Sequence, residues 1–135
     1  EKNKNHPEYQ YLNLIDKIIK TGVEEETRNG ATKSIIGASM RFPLDNGQIP
    51  ILTTKKMAWK SCLKELLWFI SGSTDNSVLQ KQKVGIWNGN ASKEFITKIG
   101  LPYEENDLGP VYGFQWRHWG EEYDGSNKEY KGNRD

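Results

Sequence analysis

The run Met57-Ala58-Trp59-Lys60-Ser61-Cys62-Leu63-Lys64-Glu65-Leu66-Leu67-Trp68-Phe69-Ile70 is the most apolar stretch of the chain. Its length and spacing predict a helix over about 57–70, ended by Ser71-Gly72. Apolar residues cover most of its circumference, so the helix is expected at the centre of a core. Two readings of its polar residues are open. On a central helix Glu65 is drawn partly out of water, which disfavours the charged form and raises its pKa toward the range useful for proton transfer. Alternatively Lys60, Ser61, Lys64 and Glu65 share one narrow solvated stripe, which helical spacing allows.

Outward from that helix, residues 1–5 read as a charged lead-in. Pro7 suits a first helical turn, Leu12, Ile15, Ile18 and Ile19 recur at helical spacing, and Gly22 stops the helix. An acidic turn at 24–26 and Asn29-Gly30 follow. Residues 34–44, with Ile35, Ile36, Met40 and Phe42, have strand-like composition. Asn46-Gly47 is a turn that could close a hairpin onto Ile49-Pro50-Ile51-Leu52, with Pro50 marking an edge or an irregular segment. Beyond residue 72 a short amphipathic helix capped by Asp75 or Asn76 carries Val78 and Leu79. Residues 85–90 break it. Another helix is expected near 92–99, followed by a loop punctuated by Gly100, Pro102 and Pro110. The last twenty residues show little period of either kind.

The chain has 135 residues, which fits one domain. Nineteen basic against eighteen acidic residues leave a net charge of +1, so there is no global field for nucleic acid or membrane surfaces. One cysteine excludes an internal disulfide and a Cys-rich metal cluster, and makes a reducing compartment the default. The cytoplasm is therefore expected, with mitochondria or another compartment left open. No apolar run approaches the roughly 18 residues of a membrane span. A mean hydropathy of −0.81 is polar for a domain that must bury its own core. With Glu1 in first place, the chain reads as part of a longer or processed polypeptide that finishes its core against something else.

Several side chains could carry chemistry. Arg28 stands beside Asn29-Gly30, where a guanidinium fork and backbone amides could meet a phosphate. Arg41, Lys55 and Lys56 are similarly placed, and each alone also fits an ordinary surface charge. Ile86-Trp87 with Asn88 and Asn90 offers an indole on which a planar heterocycle could stack and amides that could read it. A core Trp in a turn is the plainer reading. Tyr112, between Gly109-Pro110 and Gly113, could orient water or substrate, or bond a carbonyl. Cys62 has apolar neighbours and no adjacent His, which suggests an inert buried thiol. His6 and His118 are isolated, so no metal is expected. Trp116-Arg117-His118-Trp119 is read as core packing around a capped Arg.

Taken together, Gln10-Tyr11-Leu12, Arg28 with its glycine turn, Met40-Arg41-Phe42, residues 51–56 (ILTTKK), residues 65–70 (ELLWFI), Ile86-Trp87 and residues 107–118 (DLGPVYGFQWRH) resemble, in order, the N-terminal part of thymidylate synthase. Residues 6–13 (HPEYQYLN) are similar to the start of the synthase domain in bifunctional dihydrofolate reductase–thymidylate synthases of protozoa. The resemblance implies an α+β fold for residues 6–135, with a mixed, mostly antiparallel sheet at a homodimer interface and a central apolar helix. It implies reductive methylation of dUMP to dTMP by 5,10-methylenetetrahydrofolate, and leaves room for a fused upstream reductase. By the same resemblance Arg28 would bind the dUMP phosphate and Lys55 the glutamyl tail of the folate. Ile86, Trp87 and Asn90 would pack on the folate rings, Glu65 would organise water and protons, and Tyr112 would lie near the catalytic thiol. That thiol belongs to a Pro-Cys-His segment expected beyond Asp135. The family's phosphate loop departs here to Arg28-Asn29-Gly30-Ala31-Thr32, Asn88 replaces an Asp, Lys60 an Arg, and Ser71-Gly72-Ser73 a more charged turn. Those departures motivate a competing expectation, a catalytically weakened paralogue serving as a structural subunit.

Overall fold

A computed structural model describes residues 6–27 and 30–131. The lead-in at 1–5 and the candidate phosphate ligand Arg28 lie outside the described residues. The chain divides into two compact units, one up to Met57 and one from Ala58.

In the first unit, α1 spans Tyr9–Thr21, as the spacing of Leu12, Ile15, Ile18 and Ile19 predicts. Its end is set at Gly22, whose N–H donates to the Ile18 carbonyl at 2.8 Å. A Cβ there would stand 2.5 Å from that oxygen, so only glycine tolerates the approach. Strands β1 (Val23–Thr27) and β2 (Gly30–Ser34) pair antiparallel, with Val23 opposite Ser34 and Thr27 opposite Gly30. This corrects two expectations. Residues 24–26 are strand, not turn; both strands are solvent-exposed along their length, so a run of Glu costs little there. Residues 35–44 are not strand, and Ile36 is 99% exposed. The Gln10 side chain instead takes both main-chain groups of Arg41, donating to its carbonyl at 2.6 Å and accepting from its N–H at 2.9 Å. Backbone groups bonded to an amide side chain have no need of a neighbouring strand. Asn46-Gly47 does turn, both residues with positive φ, inside a 3₁₀ turn (Asp45–Gly47). No hairpin onto residues 49–52 forms among the described residues.

In the second unit, α2 (Trp59–Ile70) and α3 (Asn76–Lys81) follow the expected order, with α4 (Lys93–Lys98) behind them. Asp75 caps α3 by accepting from Ser77 N–H, and Ser92 caps α4 by accepting from Phe95 N–H. A further helix, α5 (Tyr112–Arg117), is not anticipated by the sequence reading; its N-cap Val111 makes no side-chain capping bond, so the local signal that marks α3 and α4 is missing. The core gathers Trp68, Leu79 and Val84, with Phe69, Trp87, Leu108 and Val111 against it. A second aromatic group joins Phe114 and His118 to Tyr123 and Tyr130 of the C-terminal loop through edge-to-face, tilted and stacked ring pairs.

Helix α2 is less enclosed than its composition suggests. Trp68 is its buried residue, while Leu66 and Leu67 are 46% and 57% exposed. Cys62 is exposed as well, which corrects the expected buried thiol. The polar residues are the ones engaged: Lys64 donates to the Gln82 carbonyl at 2.8 Å, and Glu65 faces Trp87. The Trp116–Trp119 segment is also more open than expected, with Trp119 exposed and Trp116 half-exposed against Phe69. Among the described residues no helix is long and apolar enough to cross a membrane.

Candidate active site

Glu65 and Phe69 stand four residues apart on α2 and therefore share a face. Trp87 reaches that face from the turn after α3. Lys83, at φ +60°, reverses the chain, and Val84 bonds back to the Leu79 carbonyl at 3.0 Å. The turn closes where Ala91 N–H donates to the Trp87 carbonyl at 2.9 Å. So held, the Trp87 indole N–H donates to Glu65 Oε1 at 2.8 Å, and its ring meets Phe69 edge-on at 6.4 Å.

Tyr112 comes from the start of α5. Gly113 lets α5 lie directly on α2: a Cβ at 113 would stand 2.7 Å from the Phe69 carbonyl oxygen and 3.0 Å from its Cα. This contact sets the Tyr112 ring 5.3 Å from Phe69 and 6.0 Å from Trp87. Phe69 thus touches both the indole and the phenol, one helical turn from the carboxylate. Sequence reasoning missed its role, although its i+4 relation to Glu65 was the available signal.

The chain leading into Tyr112 is anchored by a buried carboxylate. Asp107 accepts from Gly109 N–H at 2.8 Å, from Ser126 N–H at 3.1 Å and from the Tyr123 hydroxyl. The same hydroxyl meets Thr74 Oγ1 at 2.8 Å. Burial, and next the Asp107 carboxylate, push the Tyr123 phenol well above its ordinary pKa, so it stays a donor. Residues 107–110 are in this way tied to the loop at 123–126.

The remaining sequence candidates divide cleanly. Ile86 is 50% exposed beside Trp87, Tyr112 is 56% exposed, and Asn90 is exposed in the same turn as Trp87. Asn88 is held by α3: its carbonyl accepts from Asn76 and Gln80, each at 3.2 Å, and both also donate to Asn106. Lys55 is exposed in the first unit, its ammonium 5.9 Å from the centre of the Tyr11 ring. Among the described residues no group of three or more His, Cys, Asp or Glu side chains is placed to hold a metal ion.

A carboxylate oriented by an indole N–H, flanked by half-exposed aromatic faces, can position water and handle protons beside a planar ligand. The protein-family model described as thymidylate synthase matches residues 9–133. The chain belongs to the thymidylate synthase family. Its similarity to a bifunctional dihydrofolate reductase-thymidylate synthase of Zea mays is 51% identity over 94% of this chain and 25% of that protein. A bifunctional dihydrofolate reductase-thymidylate synthase of Leishmania amazonensis is 50% identical over 96% of this chain and 25% of its own length. Thymidylate synthase 1/2 of Encephalitozoon cuniculi is 45% identical over 94% and 44%. The chain therefore spans about a quarter of the length of the bifunctional relatives it matches. Within this thymidylate synthase segment, Glu65, Trp87 and Tyr112 form one cluster.

Proposed function

We propose that the protein is a thymidylate synthase, converting dUMP to dTMP, and that this chain supplies the folate-side wall and the proton-handling carboxylate of the site. The observation that carries this reading is the Trp87 N–H bond to Glu65, with Tyr112 packed against both Trp87 and their common neighbour Phe69. The co-substrate 5,10-methylenetetrahydrofolate supplies the one-carbon unit and the hydride. Its flat, partly apolar ring system suits the half-exposed surface of Trp87 and Ile86, with the Asn90 amide at the rim.

In this reading Glu65, oriented through Oε1 by the indole, uses Oε2 to hold water or a proton; among the described residues Oε2 takes no hydrogen bond. Tyr112 orients water near the nucleophile, Lys55 takes the glutamyl tail and Arg28 the dUMP phosphate. The nucleophile is a thiolate attacking pyrimidine C6. It comes from the family's Pro-Cys-His segment, which these 135 residues do not contain: the one cysteine, Cys62, is flanked by Ser61 and Leu63. The half-exposed apolar residues of α2 favour a complete domain in which this helix is covered and central. By the same reading the small sheet extends into a mixed, mostly antiparallel one at a homodimer interface. The printed names of the bifunctional relatives support an upstream dihydrofolate reductase domain. A cytoplasmic setting agrees with the single free thiol.

The test is Glu65→Gln in the full-length protein. Turnover is expected to fall by about two orders of magnitude or more, with dUMP binding retained in calorimetry. Near-normal turnover would overturn the assignment, and absence of saturable dUMP binding to the unaltered protein would favour the non-catalytic paralogue.

A further inference from the structure

Thr53 and Thr54 lie outside regular secondary structure, so no helix or strand ladder pairs their backbone N–H groups. One carboxylate serves them. Glu8 Oε1 accepts from Thr53 N–H at 2.8 Å, from Thr54 N–H at 3.0 Å and from Thr54 Oγ1 at 2.8 Å, and Oε2 accepts from Thr53 Oγ1. Glu8 is buried despite its charge, at the N-terminal end of α1. Three residues on, and so on the same face, Tyr11 sets its ring under the Lys55 ammonium. The two side chains grip the backbone at one end of a tripeptide and the charge at the other.

The division of labour matters chemically. A ring face orients an ammonium without neutralising it, whereas a carboxylate would cancel the charge. Glu8 spends its charge on the two threonines, and among the described residues Lys55 has no acidic partner. Lys55 therefore keeps its three N–H donors for an anion from outside. The threonine bonds hold Glu8 ionised far below neutral pH, so the grip does not loosen in the working range.

We infer that Glu8 and Tyr11 are positioning residues for Lys55, presenting its ammonium to a carboxylate-bearing ligand, the poly-γ-glutamyl tail of the folate. This rests on the reading of Lys55 given above. The test uses the full-length protein with Glu8→Ala, Glu8→Gln, Tyr11→Leu and Lys55→Ala. The readout is the ratio of KM for pentaglutamyl to monoglutamyl methylenetetrahydrofolate. Glu8→Ala and Tyr11→Leu are expected to raise that ratio about three- to tenfold. Glu8→Gln, which retains one carbonyl acceptor for the Thr53 and Thr54 N–H groups, is expected to recover part of the loss. An equal rise in both KM values, or a fall in kcat alone, would reduce Glu8 to a structural role and overturn the inference. A ratio altered by Lys55→Ala but by neither α1 variant would also overturn it. No change with Lys55→Ala would instead remove the tail-binding reading itself. Should Glu8→Ala fail to fold, Glu8→Gln and Tyr11→Leu carry the same comparison.

Discussion

Glu65 and Trp87 are 22 positions apart in sequence and joined by one hydrogen bond. Hydrogen bonds to a charged group contribute about 1.5–3 kcal/mol. Trp87→Phe keeps a ring against Phe69 and deletes the donor. It is expected to lower kcat of the full-length enzyme about tenfold or more, since roughly 1.4 kcal/mol is one decade in rate. Steady-state kinetics beside a melting curve check this; unchanged kcat would show that the indole only packs. At this scale the residue types were legible and their partners were not. Glu65, Trp87 and Tyr112 stood out as candidates, but nothing in the chain's order says that an indole N–H ends on that carboxylate. Asn88 illustrates the converse. It stands where the family it resembles has an Asp, and its residue type does not reveal that its carbonyl joins an amide network with Asn76, Gln80 and Asn106.

At the scale of elements, the decisive contact is α5 on α2. Gly113→Ala places a methyl group against backbone that has no flexible end to move. Overpacking of this kind costs about 1–3 kcal/mol. The variant is expected to lose several degrees of Tm and to reduce turnover, because Tyr112 moves with α5. A full-length Gly113→Ala protein with unaltered Tm and kcat would disprove the close approach. Helices α1 to α4 were legible because caps and stops are local chemistry: Gly22, Asp75, Ser92 and Ser71-Gly72 act within a turn of themselves. The strands were misplaced because a strand is defined by its partner. Residues 35–44 have the apolar, β-branched look of a strand, yet Val23–Thr27 and Gly30–Ser34, mostly polar, are the ones that pair.

At the scale of the whole molecule, Glu8 links the start of α1 to residues 45 and 46 positions later in the chain. The Thr53 and Thr54 hydroxyls, with their backbone N–H groups, hold its carboxyl at about 2, below the ordinary 4.5. The unfolded chain therefore binds the proton first as pH falls. The stabilisation is fully present above about pH 4.5 and is lost progressively as pH drops toward 2. Tm of the full-length protein is expected to decline across that window, and Glu8→Gln is expected to show a shallower decline. Parallel profiles for the two proteins would count against this linkage.

The sequence by itself determined the family, the helices with local caps, and the identity of the chemical groups, because each depends on residue type and spacing along the chain. Only the tertiary structure decided which groups meet: the indole on the carboxylate through the turn at 83–91, the phenol beside the indole and Phe69 through Gly113, and the threonines on Glu8. These contacts join residues far apart in sequence. Their geometry follows from packing and from the need to satisfy every backbone donor, neither of which is written in local order.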